Sequence, residues 1–261
     1  MVSGRVMCLV SLAFVVAMAG PFGSPSGTLV SQAATFAPLS AGSLCANGPN
    51  GESWAHCYAL TDYRASEYGV QADLYVPAST AQYGSAVAMW VGVIFPNNGW
   101  IQTGWVNGWT PNGITFGKTY LYWEWCTQPG TDPHGCTPGG YSFTLSSSPV
   151  TVGTTHSFQV SYSDCDYTRN LQYWAAVIDG VFQGGGYLFP YEYGTLEVSA
   201  ELHNTHDIMQ TEHVTNLIFW KPYKKGYAWF AWDGYGRIYV DSPPLTQTIN
   251  SNTAWDCRAN A

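Results

Sequence analysis

Charge is scarce in this sequence. Only 10% of its 261 residues are Asp, Glu, Lys or Arg, against about 25% in an ordinary globular chain. The few present lean acidic, 17 carboxylates against 9 Lys and Arg, for a net charge of −8. Nucleic acid and anionic membrane surfaces are therefore not expected as partners. Few buried ion pairs also means few carboxylates whose protonation would unfold the chain, which suits an acidic medium. Helical periodicity is missing beyond the first twenty residues. After residue 19 no apolar run is long enough to cross a bilayer. No C-x-x-C, H-E-x-x-H or G-x-S-x-G occurs, so the usual markers of a zinc ribbon, a helical zinc peptidase and a serine-hydrolase elbow are lacking. No N-x-S/T occurs either, and N-glycosylation is not expected.

The amino-terminal segment has a clear pattern. Arg5 precedes an apolar run from Val6 to Ala19, which ends in the A-x-A triplet Ala17-Met18-Ala19. This predicts a secretory signal peptide over 1–19 and a secreted, extracellular protein. Residues 20–43, rich in Ser, Gly, Ala and Pro, read as a disordered leader or a propeptide. Residues 44–261 form the body. Of seven cysteines, Cys8 lies in the signal, leaving Cys45, Cys57, Cys126, Cys136, Cys165 and Cys257. An even set in an exported chain reads as disulfides. The expected pairs are Cys45–Cys57, Cys126–Cys136 and Cys165–Cys257: two short local loops and a tie for the carboxyl-terminal tail.

Aromatic residues make up 16% of the chain and glycines number 28. Trp, Tyr, Thr and Val punctuated by Gly, Pro and Asn favour strands. Eleven are expected: Val70–Val76, Ala86–Phe95, Gly99–Val106, Thr119–Trp125, Tyr141–Leu145, Thr155–Tyr162, Leu171–Ile178, Thr195–His203, Val214–Trp220, Tyr227–Trp232 and Arg237–Val240. Pro96-Asn97-Asn98-Gly99, Asp179-Gly180 and Asp233-Gly234 read as hairpin turns, and Asp62–Tyr68 as a helical turn at most. The fold class is all-β: an antiparallel two-sheet sandwich in one domain.

Alternation along a strand assigns faces. Gln102 shares a face with Trp100 and Gly104. Tyr120, Tyr122 and Glu124 share another, opposite Leu121, Trp123 and Trp125. Glu197, Ser199, Glu201 and His203 share a third. If these strands lie in one sheet, their polar-aromatic faces line a groove suited to an extended ligand.

Four segments, in order, resemble the glutamic peptidases of the eqolisin family. They are Trp90-Val91-Gly92-Val93, Ile101-Gln102-Thr103-Gly104, Trp123-Glu124-Trp125 and Ala200-Glu201. Neprosin-like features accompany them: Ile101-Gln102-Thr103-Gly104-Trp105, and the spacing of Glu197-Val198-Ser199-Ala200-Glu201. The resemblance implies a concanavalin A or lectin-like sandwich and an endopeptidase acting on polypeptides at acidic pH without a cofactor. It implies a catalytic dyad of Gln102 and Glu201. Glu201 would be general base and then general acid, and Gln102 would orient the water and donate to the oxyanion. Trp90, Trp100, Tyr122, Glu124 and Glu197 would contact substrate, and no metal ligand is assigned. The chain is expected to be monomeric. Two positions depart from the family pattern: Ile94 replaces an Asp, and Leu202 replaces a Trp.

Rival readings stay open. Glu197 lies on the face of Glu201 and is its local competitor. Glu201, His203, His206, Asp207 and His213 are metal-ligand types close in sequence. Glu124 with Glu197 or Glu201 could form the carboxylate pair of a glycoside hydrolase. A non-catalytic, lectin-like carbohydrate-binding sandwich is the alternative from another class.

Overall fold

The computed structural model describes residues 57–62, 64–110, 113–127, 140–224, 226–233, 237–241 and 244–261. The expected signal, leader, Asp233-Gly234 turn and Cys45 and Cys136 fall wholly or partly outside these residues. In chain order the strands are β1 (Cys57–Asp62), β2 (Arg64–Glu67), β3 (Gly69–Tyr75), β4 (Ser79–Thr80), β5 (Ala86–Ile94) and β6 (Trp100–Thr110). Next come β7 (Gly113–Cys126), β8 (Tyr141–Leu145), β9 (Thr155–Asp166), β10 (Leu171–Ile178), β11 (Val181–Phe189) and β12 (Gly194–Leu202). The chain closes with β13 (Ile208–Tyr223), β14 (Gly226–Ala231), β15 (Arg237–Asp241), β16 (Leu245–Ser251) and β17 (Ala254–Ala259).

These strands build two antiparallel sheets. The first runs β15-β1-β12-β5-β6-β7-β8, with β2 also on β12. The second runs β11-β10-β9-β3-β13-β17-β16, with β4 and β14 also on β13. The all-β, two-sheet architecture read from composition and alternation is the observed one. The core between the sheets takes one side of each alternating strand: Val87, Met89, Val91 and Val93 from β5, and Leu196, Val198, Ala200 and Leu202 from β12. From the second sheet come Phe158, Trp174, Val214 and Trp255, each fully buried.

Turn chemistry fixes two hairpins that position the sheets. Between β5 and β6 the backbone reverses at Pro96–Gly99, where Asn98 takes φ 61° and Phe95 N–H donates to the Gly99 carbonyl at 2.8 Å. Between β10 and β11, Asp179 and Gly180 take φ 50° and 74°, the left-handed pair that a two-residue turn demands.

Three expectations are corrected. The segment Asp62–Tyr68 is no helical turn: Arg64–Glu67 pairs with β12 as β2. Cys257 is a free, buried thiol, so it does not link to Cys165. Its alternation on β17 turns it into the core beside Glu212, its cross-strand partner. Cys126 and Cys165 are each disulfide-bonded. The eleven expected strands are present, β8 and β10 with the expected ends and the others with shifted ones, but β1, β2, β4, β11, β16 and β17 were not foreseen. β11 carries Gly184-Gly185-Gly186 at its centre, which hides its strand character from propensity.

Candidate functional site

Register decides which side chains meet. In the first sheet β5 lies between β12 and β6. Gly92 pairs with Glu197 on one side and with Gln102 on the other. Gln102 pairs in turn with Glu124, and Glu124 with Phe143. One cross-strand row therefore reads Glu197, Gly92, Gln102, Glu124, Phe143. The next row reads Ser199, Trp90, Gly104, Tyr122, Leu145. On the other side lies Thr195, Ile94, Trp100, Cys126, Tyr141. All these residues share the face turned away from the inter-sheet core, as alternation requires.

Gly92 brings no side chain to its row. A Cβ there would stand 3.0 Å from the Gln102 Cβ and 3.2 Å from Cζ3 of the Trp90 indole. That position is thus crowded by Gln102, by the Ile101 carbonyl and by the six-membered ring of Trp90. Gly104, on the following row, has a different reason to be glycine. A Cβ there would run into the Met89 carbonyl oxygen of the neighbouring strand, so β5 and β6 pack closer than a side chain permits.

The Gln102 amide is held firmly. Its Nε2 donates to Glu124 Oε1 at 2.6 Å and to the Tyr122 hydroxyl at 3.1 Å. Tyr141 donates its hydroxyl to the other Glu124 oxygen at 2.7 Å. Thr103 Oγ1 donates to the Tyr122 carbonyl at 2.7 Å, and the Tyr122 ring stacks on Phe143 at 5.4 Å. Burial pushes the Tyr122 hydroxyl well above its ordinary pKa, and the Glu124 and Glu201 charges push in the same direction. Trp100 packs edge-on against Tyr141 at 6.2 Å.

Glu197 retains some solvent access, yet burial pushes its carboxyl from the usual 4.5 up to about 7. A carboxyl so perturbed and still reachable is a mark of a functional site. Glu201 has other partners. Its Oε2 accepts from the Trp90 indole N–H at 3.1 Å, and its Oε1 lies 3.0 Å from His203 Nε2. Glu201 pairs with Ala88, which pairs with Val106. It stands four residues along β12 from the row of Gln102, about 13 Å at the rise of a strand. The register thus sets Glu197, and not Glu201, in the Cα row of Gln102, while the Glu201 charge reaches the Tyr122 hydroxyl that Gln102 contacts.

The His/Asp cluster does not converge. His203 turns to Glu201. Asp207 is fully buried and ties its loop by accepting from the Gln82 and Asn204 backbone N–H groups and the Ser85 hydroxyl. His213 lies in the other sheet, 2.8 Å from Asp256. Among the described residues no group of three or more His, Cys, Asp and Glu is placed to hold a metal ion.

Solved structures share this architecture at a distance. The chain is similar to scytalido-glutamic peptidase bound to a peptide-based transition-state analogue, at 11% identity and a TM-score of 0.47, covering 78% of this chain and 98% of that one. It is also similar to SCP-B, a member of the eqolisin family of peptidases, in complex with the tripeptide Ala-Ile-His, at 10% identity and a TM-score of 0.45 over the same shares. The Emp47p carbohydrate recognition domain matches at 10% identity and a TM-score of 0.33, covering 56% of this chain and 67% of that one. At these values the likeness assigns no activity to this chain. No protein-family model and no curated protein sequence matches it.

Two contributors escaped the sequence reading. Gly92 was legible only as part of a motif; that it separates Glu197 from Gln102 depends on β5 lying between them. Tyr141 gave no signal beyond its place at the start of a strand.

Proposed function

We propose that the chain is a secreted endopeptidase that activates water between Glu197 and Gln102. The observation that carries this reading is the cross-strand row in which Glu197 and Gln102 are the Cα partners of one glycine, Gly92. Glu197 as carboxylate takes a proton from the water as it attacks the peptide carbonyl carbon. The protonated Glu197 then passes that proton to the leaving nitrogen. A carboxyl with a pKa of about 7 suits both halves of this exchange near neutrality. The catalytic partner of Gln102 thus becomes Glu197 in place of Glu201. Glu201 holds the indole of Trp90, and Trp90, Trp100 and Tyr122 wall the path of an extended polypeptide. No cofactor is called for.

A glycoside hydrolase would need two free carboxyls at the bond to be cut, and Glu124 is engaged by Gln102 and Tyr141. The test is digestion of an unfolded protein by the purified mature chain across pH 4–9. Cleavage is expected to resist pepstatin and EDTA and to vanish in Glu197→Gln and in Gln102→Ala. Full activity in Glu197→Gln with loss in Glu201→Gln would restore the other carboxylate. Absence of cleavage together with retention on an insoluble polysaccharide would replace the enzyme with a carbohydrate-binding module.

A further inference from the structure

A primary amide has two N–H bonds and one carbonyl oxygen. Both N–H bonds of Gln102 are spent, one on Glu124 at 2.6 Å and one on the Tyr122 hydroxyl at 3.1 Å. An ionised carboxylate only accepts, so the Glu124 contact dictates which end of the amide faces it. Glu124 is itself fixed by the hydroxyl of Tyr141 at 2.7 Å. Glu124 and Gly92 lie on opposite sides of Gln102 in the row. With its nitrogen drawn toward Glu124, the amide turns its oxygen toward the other side of the row, where Gly92 and then Glu197 are the Cα partners. A water there would meet two acceptors, Gln102 Oε1 and the Glu197 carboxylate. Its two hydrogens would be engaged and its lone pair left for attack.

An amide oriented this way cannot donate to a developing oxyanion. Tyr122 can. Its hydroxyl already accepts from Gln102, which leaves its own hydrogen to give. Among the described residues no hydrogen-bond acceptor for that hydrogen is found. Burial keeps the hydroxyl protonated through any working pH. The Phe143 stack and the Thr103 bond to its carbonyl hold the ring in place.

We infer that Glu124 is a positioning residue that presents the carbonyl oxygen of Gln102 to the water, and that Tyr122 is the catalytic residue that donates to the oxyanion. This rests on the hydrolase reading. As the water oxygen bonds to the carbonyl carbon, its proton goes to Glu197 and the C=O π pair moves onto oxygen, where the Tyr122 hydroxyl meets it. When the C–N bond breaks, nitrogen keeps the bonding pair and takes the proton from Glu197.

The experiment compares steady-state kinetics of the mature chain with those of Tyr122→Phe and Glu124→Gln on a fluorogenic polypeptide. Side-chain amide NMR of Gln102 is recorded in parallel. Tyr122→Phe keeps the ring and its stacking; its kcat should fall about 10²–10³-fold with KM unchanged, the cost of one oxyanion donor. Glu124→Gln makes both amide orientations available; its kcat should fall about 10²-fold through misplacement of the water. Its Gln102 amide protons should lose the downfield shift that a 2.6 Å bond to a carboxylate imposes. Full kcat in Tyr122→Phe overturns the oxyanion role. Gln102 amide protons that ignore Glu124→Gln overturn the clamp. Should the wild-type chain cleave nothing, the hydrolase reading and the oxyanion role fall together, while the amide resonances still decide whether Glu124 orients Gln102.

Discussion

Gly92 is central to the proposed chemistry because it is the Cα partner of both Glu197 and Gln102 and brings no side chain of its own to their row. A methyl group there would stand 3.0 Å from the Gln102 Cβ and 3.2 Å from Trp90, in the space the water needs. Gly92→Ala should therefore lower kcat by about 10²-fold, the usual cost of a displacement near 1 Å, while the unfolding midpoint in urea moves little. The pH profile tests Glu197 at the same scale. If it acts as base with a pKa of about 7, kcat/KM should rise with pH through an inflection near that value. An unperturbed glutamate would place the inflection at about 4.3, and a profile of that kind would remove Glu197 from the role.

At the scale of the strand, what matters is how β12, β5, β6 and β7 lie against one another. Gly104 shows how tightly β5 and β6 are matched, since a Cβ there would strike the Met89 carbonyl. Gly104→Ala should cost about 1–3 kcal/mol of stability by overpacking, read as a lower urea midpoint. Gly92→Ala, whose methyl meets less of the backbone, should cost less. Opposite rankings of the two variants would contradict this division between a packing glycine and a site glycine. The faces of these strands were legible beforehand: Gln102 with Trp100, Glu124 with Tyr122, Glu197 with Glu201. Which rows align was not, because alternation gives the side of a sheet and says nothing of the sliding of one strand along another. That is why Glu201, next to an alanine in a familiar-looking pair, read as the better candidate than Glu197.

Across the whole molecule, buried carboxyls set how stability responds to pH. Burial raises Glu197 to about 7 and raises Glu212 well above the usual carboxylate range. Glu212 is completely enclosed on β13, opposite the buried thiol of Cys257. A carboxyl whose folded pKa exceeds its unfolded one binds its proton more tightly in the native state. The stability it lends is full below about pH 4.5 and is lost as pH rises through the folded value. For Glu197 a rise from 4.5 to about 7 amounts to at most about 3–4 kcal/mol. The melting temperature should therefore fall between pH 5 and pH 8, and Glu197→Gln should flatten that decline. A melting temperature that climbs over this window would contradict the burial of these groups.

Composition and alternation alone determined that this protein is a two-sheet, antiparallel sandwich, and which residues of β6, β7 and β12 share a face. Both follow from local rules, the preference of aromatic and β-branched residues for pleated backbone and the two-residue period of its side chains. Tertiary structure alone decided that β5 lies between β12 and β6, that Gly92 aligns Glu197 with Gln102, and that Cys257 stays a thiol beside Glu212. Those facts depend on strand order and register between segments up to a hundred residues apart, and no local pattern encodes them.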